Sequence, residues 1–168
     1  MKKSIVLVVA LLSVFAVSAQ TYKFGHVNSQ ELMGTLPEME AVMSKLEDLQ
    51  TSNNELLTKM QNELQAEAVK YQAAADTLPQ SVRTYKEQQL QSMQEGIQKF
   101  YQDAQVEMQQ KQQQLTQPVM DKVKKAIDDV AAEQGFIYVF DLSGGAVLYH
   151  SSESVDIKPL VRKKLGLE

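Results

Sequence analysis

The fold of this chain is decided by EMEAVMSKLEDLQTSNNELLTKMQNELQAEAVKYQAAA, residues 38–75, and by DTLP, residues 76–79, which ends that run. The long run contains neither glycine nor proline, and its apolar residues recur at steps of three and four. That spacing predicts a helix with one apolar stripe, and a mean step of about 3.5 indicates packing against a second helix. The predicted stripe of this first arm consists of Val42, Leu46, Leu49, Leu56, Met60, Leu64, Ala68, Tyr71 and Ala75.

The same pattern resumes after Pro79 and continues to Gln134. Proline bars its predecessor from helical angles but fits the first turn of a new helix, so the chain should turn near residues 76–80. We therefore predict a long antiparallel helical hairpin over residues 38–134. The predicted stripe of the second arm consists of Val82, Tyr85, Met93, Ile97, Phe100, Ala104, Met108, Leu115, Val119, Val123, Ala126 and Val130.

The second arm contains two residues that weaken a helix. Gly96 costs about 1 kcal/mol relative to alanine. Pro118 removes one backbone hydrogen bond and crowds the carbonyl of Gln114, so we expect a bend there. The many glutamines of this arm suit a neutral, solvated helix face.

Residues 1–19 have the pattern of a secretory signal peptide. Lys2 and Lys3 precede an almost wholly apolar run, Ser4–Val17, and Ala19 ends a small-residue cleavage motif. We expect cleavage after Ala19 and export to the periplasm without stable membrane insertion; an uncleaved N-terminal anchor is the alternative. The chain has no cysteine, so we expect neither a lipid anchor at the cleavage site nor a disulfide.

Segments rich in aromatic and branched residues flank the hairpin. Tyr22–Val27 and Phe136–Phe140 are predicted strands. A turn at residues 141–145 should lead into Ala146–Tyr149 as the returning strand of a β-hairpin. These strands predict a small sheet, and with the arms they give an α+β fold that is mostly α.

The strands belong to a β-rich body made of residues 20–37 and 135–168. Asn28 should cap a short helix, and Asp156 should cap another near the C-terminus. So small a body is too short to bury a sufficient core, and its sheet would expose edges. We therefore predict a homo-oligomer joined through the strands, with the helical arms projecting from it.

The sequence contains few candidates for catalytic or metal-binding residues. Only two histidines occur, His26 and His150, and no carboxylate cluster at ligand spacing accompanies them. The acidic pairs Asp128-Asp129 and Glu47-Asp48 read as solvated helix faces. With a net charge of −4, the chain has no basic footprint for nucleic acid. We expect no enzyme activity, no cofactor and no metal.

A hairpin of two helices can bury only one side of each. Met43, Leu57, Val69, Leu90 and Tyr101 fall beside the stripe and should remain accessible. Accessible apolar residues on projecting arms indicate an interaction surface or further helix packing. The methionines of the arms fit either an adaptable lining for variable partners or ordinary packing within a coiled coil.

The order of segments resembles the Skp (OmpH-like) periplasmic chaperone family. The resemblance rests on a signal peptide, a strand ending in Val27-Asn28, a glutamine-rich helical hairpin, and the ending Val147–Ser152 followed by Val155-Asp156-Ile157. Members of that family are homotrimers whose strands build a small barrel. Their helical hairpins enclose unfolded outer-membrane proteins without ATP.

The resemblance implies two sets of functional residues in this chain. Trimerisation would involve Tyr22, Phe24, Val27, Phe136, Tyr138, Phe140 and Val147. Client binding would involve Leu57, Met60, Leu64, Val69, Tyr71, Leu78, Tyr85, Leu90, Met93, Ile97 and Tyr101.

The function that follows is a periplasmic holdase for unfolded outer-membrane proteins. The alternative is a structural or adaptor coiled coil of an envelope assembly. This chain is more acidic than basic family members, since residues 60–111 hold five basic and seven acidic side chains. We therefore do not expect lipopolysaccharide binding and expect client capture through apolar and glutamine contacts.

Overall fold

The computed structural model describes residues 22–167, which form four helices and three short strands. The predicted signal peptide and its cleavage site lie outside the described residues. The strands are β1 (Lys23–Val27), β2 (Phe136–Asp141) and β3 (Val155–Asp156). The helices are α1 (Ser29–Gly34), α2 (Pro37–Ala74), α3 (Gln80–Gln134) and α4 (Lys158–Lys164).

The predicted long helical hairpin is confirmed by α2 and α3, which pack against each other. Helix α2 begins at Pro37, in the first turn where a missing N–H is harmless. At the far end the backbone N–H groups of Thr77 and Leu78 both donate to the carbonyl of Ala74, and Pro79 precedes α3. Helix α3 is one continuous element despite its internal proline; the bend expected near Gln114 stays a prediction.

Helix α3 ends at Gln134 and is capped by Gly135, whose φ of 69° is the left-handed conformation that glycine adopts without strain. The chain then enters β2, which pairs in parallel with β1. Parallel neighbours need a crossover connection, and here the whole helical hairpin is that connection. Strand β3 pairs in parallel with the other side of β1, so the order is β2-β1-β3.

The predicted β-hairpin at residues 141–149 is wrong. Residues 146–151 are not in a strand, and Leu148 is 97% exposed. The side chain of Asp141 accepts hydrogen bonds from Ser29 and from the backbone of Ser143, so β2 ends tied to α1 rather than in a tight turn. The chain then passes the sheet, and β3 forms on the far side of β1.

The hydrophobic core lies where the head meets the base of the arms. Its buried members are Val27, Leu32, Leu36, Val42, Val119, Val123, Ala126, Val130, Ile157 and Val161. Half of them come from α2 and α3, so the arms supply the core that the head is too small to build alone. Gly25 allows close packing here, since a Cβ at this position would lie 3.1 Å from Ile157 and from the Phe136 ring.

The predicted stripe is correct at the base of the arms and wrong at three positions further out. Leu56 is 45% exposed, whereas Leu57 is half-buried against α3. Val82 and Tyr85 are also exposed, while Arg83 and Lys86 are half-buried. Near the tip the seam is therefore partly polar, and one ion pair between the arms crosses it.

Within residues 22–167, no helix is both long enough and apolar enough to cross a membrane.

Candidate functional site

The tip of the hairpin is held together by polar contacts between the arms. The Glu67 carboxylate accepts hydrogen bonds from Lys70 at 2.7 Å and from Lys86 at 3.3 Å. Both bonds favour the charged carboxylate and lower the pKa of Glu67. The Tyr71 hydroxyl donates to Glu87 at 2.6 Å, and this hydrogen bond raises the pKa of Tyr71. Lys70 and Glu67 both lie on α2, so the arms are joined here by one ion pair, Glu67–Lys86, and by the Tyr71–Glu87 hydrogen bond. Partly exposed contacts of this kind each contribute little.

The structure divides the predicted client-binding residues into two groups. Three of them, Val69, Tyr85 and Tyr101, are exposed. The others are half-buried, mostly along the seam: Leu57, Met60, Leu64, Tyr71, Leu78, Leu90, Met93 and Ile97. The side chain of Met60 reaches Gly96 of the other arm, where its Cε lies 4.0 Å from the position that a Cβ would take. Their role in client binding stays a prediction.

Midway along the arms the seam opens into a cleft of about 420 Å³. Nine residues line it: Gln50, Asn53, Asn54, Leu57, Phe100, Tyr101, Ala104, Gln105 and Met108. Of these, sequence reasoning assigned only Leu57 and Tyr101 to binding. The sequence does indicate an opening at Asn53. This residue falls between Leu49 and Leu57 at steps of four, where a packed seam would carry an apolar residue.

One face of the sheet exposes a row of aromatic rings. Tyr138 stacks between Phe24, at 6.3 Å between ring centroids, and Phe140, at 6.1 Å. All three rings are exposed, as is Tyr22 next to them. These four residues belong to the predicted trimerisation set. An exposed apolar patch of this kind is typical of an interaction surface.

The remaining trimerisation residues lie elsewhere. Val27 is 1% exposed and faces the chain's own core, because Gly25 and Val27 alternate with the outward-facing Phe24 along β1. The Val27 side chain therefore has no surface left for a second copy. Phe136 is half-buried, and the Lys23 ammonium lies 4.1 Å from its ring centroid. Val147 is half-buried in the segment after β2.

The two histidines meet on this outer face. The rings of His26 and His150 stack with centroids 4.1 Å apart, and His26 Nδ1 lies 2.9 Å from the Ser154 hydroxyl. They line a cleft of about 1060 Å³ between the sheet and the segment at residues 146–154. In the described part of the chain, no group of three or more histidine or acidic side chains could hold a metal ion.

Ion pairs join neighbouring helices around the buried core. Lys158 of α4 donates to Glu31 of α1 at 2.8 Å, and this bond raises the pKa of Lys158. Glu38 at the start of α2 pairs with Lys122 of α3, and the hydrogen bond from Lys122 lowers the pKa of Glu38. The first pair joins two helices of the head, and the second joins the bases of the two arms.

Comparison with known proteins identifies relatives that cover most of the chain. A family model described as "Outer membrane protein (OmpH-like)" matches residues 23–165. The chaperone protein Skp of Photorhabdus laumondii is 29% identical over 139 residues, covering 82% of this chain and 83% of that protein. Skp of Photorhabdus luminescens is 28% identical over 139 residues, with the same coverage.

A similar fold occurs in a crystal structure described as an outer membrane chaperone (OmpH-like) from Caulobacter crescentus CB15. The TM-score is 0.74 at 22% identity, over 86% of this chain and 83% of that chain. The match therefore extends over both the arms and the head.

Proposed function

This chain belongs to the OmpH-like family of outer-membrane protein chaperones, and we propose that it is an ATP-independent periplasmic holdase. The family is non-enzymatic, so the activity to be explained is binding rather than catalysis. The proposed clients are unfolded outer-membrane proteins, which the helical arms of a homotrimer would enclose. The proposed export to the periplasm relies on the signal pattern of residues 1–19.

The observation that carries this proposal is the division of the molecule into a buried base and long, mostly accessible arms. Within residues 22–167 the buried apolar side chains all lie in the head or in the parts of α2 and α3 next to it. Beyond Val42 and Val119 the arms have no buried residue in the described chain, yet they carry many half-buried and exposed apolar side chains. Such a surface suits repeated weak contacts with a client rather than one rigid interface.

The proposed assembly uses the aromatic face of the sheet. Phe24, Tyr138 and Phe140 offer a contiguous apolar surface, and the outer edge of β2 has no strand partner in the described chain. An unpaired strand edge next to exposed aromatic rings favours pairing with another copy. Three copies joined there would place three hairpins around one cavity, as the family resemblance implies.

The proposed mechanism is passive. An unfolded membrane barrel exposes strands with alternating apolar residues, which aggregate when they meet. Enclosure prevents these encounters, and many weak contacts in one cavity raise the effective concentration of binding groups while each contact still exchanges quickly. Release would be driven by folding of the client into the membrane, so no ATP is required.

The direct test is light scattering of a urea-unfolded outer-membrane barrel protein after dilution, with and without an equimolar amount of the assembled protein. We expect strong suppression of aggregation and no effect of added ATP. The same client in its folded state should not bind. Unchanged aggregation would contradict the proposal, and equal binding of folded and unfolded proteins would favour an adaptor coiled coil.

A further inference from the structure

Midway along the hairpin, the cleft between α2 and α3 combines an apolar floor with a rim of amides. Leu57, Phe100 and Met108 are half-buried in it, and Tyr101 stands exposed at its border. Its volume of about 420 Å³ lies within the range of about 300–1,000 Å³ that is typical of ligand pockets. The cleft exists because Asn53 and the small Ala104 occupy seam positions that larger apolar residues would otherwise fill.

The rim is polar but uncharged. The side-chain amides of Gln50, Asn53, Asn54 and Gln105 line the cleft, and in residues 22–167 none of them forms a hydrogen bond with another residue. Each amide has two donors and an acceptor oxygen, which match the N–H and C=O groups of an extended backbone. None of the nine lining residues is charged, although the hairpin as a whole is acidic.

We propose that this cleft is a docking site for an extended, uncharged segment of an unfolded polypeptide. The proposal rests on the proposed chaperone function and assigns part of it to a particular place. One apolar client side chain would pack on Leu57, Phe100 and Met108, while the amides bind the client backbone on either side.

The dimensions of the cleft and the nature of the client both favour this occupant. Along α2 the cleft runs from Gln50 to Leu57, about 10 Å at 1.5 Å per residue. This length matches about three residues of an extended chain at 3.3 Å each. A membrane β-strand alternates apolar and polar side chains, so each such segment can direct one apolar side chain into the cleft and keep its polar neighbours at the rim.

Isosteric charge substitutions test the site without changing its shape. The variant Asn54→Asp with Gln105→Glu places two carboxylates on the rim. The control, Asn62→Asp with Gln98→Glu, places two carboxylates on exposed positions of the same helices outside the cleft. Both variants have the same net charge, so a general electrostatic effect on the client cancels between them.

Binding is measured by fluorescence anisotropy of a labelled, urea-unfolded outer-membrane barrel protein after dilution. We expect the control to bind within twofold of the parent and the cleft variant to bind about tenfold more weakly, because an unpaired carboxylate at the contact is costly to desolvate. Circular dichroism checks that both variants keep the parent's helical content. Equal affinities of the two variants would overturn the docking site.

A second measurement does not rely on a loss of affinity. A photoreactive phenylalanine derivative replaces Tyr101, at the cleft, or Met120, which is exposed on α3 and belongs neither to the cleft nor to the predicted client-binding set. We expect several-fold more crosslinking to the client from position 101, and equal or lower yield there would contradict the proposal.

Asn53 could instead have a purely structural role and set the register of the two arms. In that case Asn53→Leu would raise the melting temperature and leave client affinity unchanged, which would also count against the docking site. If the parent protein binds no unfolded client at all, the proposed function fails. If the parent binds and the cleft variant binds equally well, only the cleft assignment fails.

Discussion

Among single residues, Asp141 has the clearest structural role. Its carboxylate accepts hydrogen bonds from the backbone and hydroxyl of Ser29 and from the backbone of Ser143. It therefore joins the end of β2 to the start of α1, two elements from opposite ends of the chain. Partial burial opposes ionisation of Asp141, but the hydrogen bonds from Ser29 and Ser143 outweigh it and lower the pKa of Asp141 below its ordinary value of 3.8.

We expect Asp141→Ala to lower the free energy of unfolding by about 1 kcal/mol at pH 7, since it removes hydrogen bonds to a charged group. A lowered folded-state pKa means that the ionised carboxylate stabilises the fold above about pH 4. This contribution to stability is lost as the pH falls through the pKa of Asp141 in the folded protein. The difference between parent and variant should therefore shrink toward pH 3 in urea unfolding experiments. Asp128→Ala, an exposed position on α3, is the control, and a difference that does not depend on pH would contradict the assignment.

At the level of elements, the hairpin changes character along its length. The buried residues at its base are Val42, Val119, Val123, Ala126 and Val130. The middle is only half-buried and contains the amide-lined cleft, and one partly exposed ion pair joins the arms near the tip. Because hydrophobic burial contributes far more than exposed ion pairs, stability should decrease from the base to the tip.

Two valine substitutions on α3 test this gradient. Val123 is 2% exposed and Val106 is 54% exposed, so the same chemical change is made in two environments of one helix. We expect Val123→Ala to cost about 2 kcal/mol of unfolding free energy and Val106→Ala to change it by less than about 0.5 kcal/mol. Thermal or urea unfolding measures both.

Hydrogen exchange reports the same gradient without mutation. Amides of α3 near Val123 should exchange slowly, and amides near the turn at residues 75–80 should exchange fastest among the arm residues. Mass spectrometry of peptides from the intact protein resolves these regions. Uniform protection along both arms would contradict the gradient and would indicate a rigid coiled coil.

At the level of the whole molecule, the chain exposes surfaces that an isolated copy leaves uncovered. The aromatic face of the sheet lies beside an unpaired strand edge, and Leu148 and Tyr149 extend into solvent close to it. The ring stack of His26 and His150 places the segment after β2 over this face. These features support the proposed homotrimer, in which the three heads would cover one another.

Light-scattering mass of the mature protein tests the assembly. We expect the mass of three chains for the parent and a shift toward one chain for Phe140→Glu, because the substitution places a charge in the proposed contact. Tyr85→Glu changes an exposed aromatic residue near the tip and should keep the parent's mass. A parent protein with the mass of a single chain would contradict the proposed homotrimer and its central cavity.

Sequence patterns alone suffice to predict the hairpin, because helix boundaries depend on local signals. The apolar spacing over residues 38–134, the proline at residue 79 that divides it and the glycine at residue 135 that ends it specify the two arms without reference to the rest of the chain. The family resemblance also predicts the trimerisation and client-binding residues, whose roles are proposals. Sequence patterns did not identify the third strand, since Val155–Asp156 becomes a strand only by pairing with β1, more than a hundred residues away.

Which residues face which surface depends on contacts between elements and is visible only in the folded chain. The choice between Leu56 and Leu57 depends on where the second arm lies, and a shift of one residue rotates a helical side chain by about 100°. The meeting of His26 with His150, and the opening of the seam at Asn53, depend in the same way on contacts between distant segments. Local pattern specifies an element, whereas its partner in space selects the exposed face, and on this chain that face carries the proposed function.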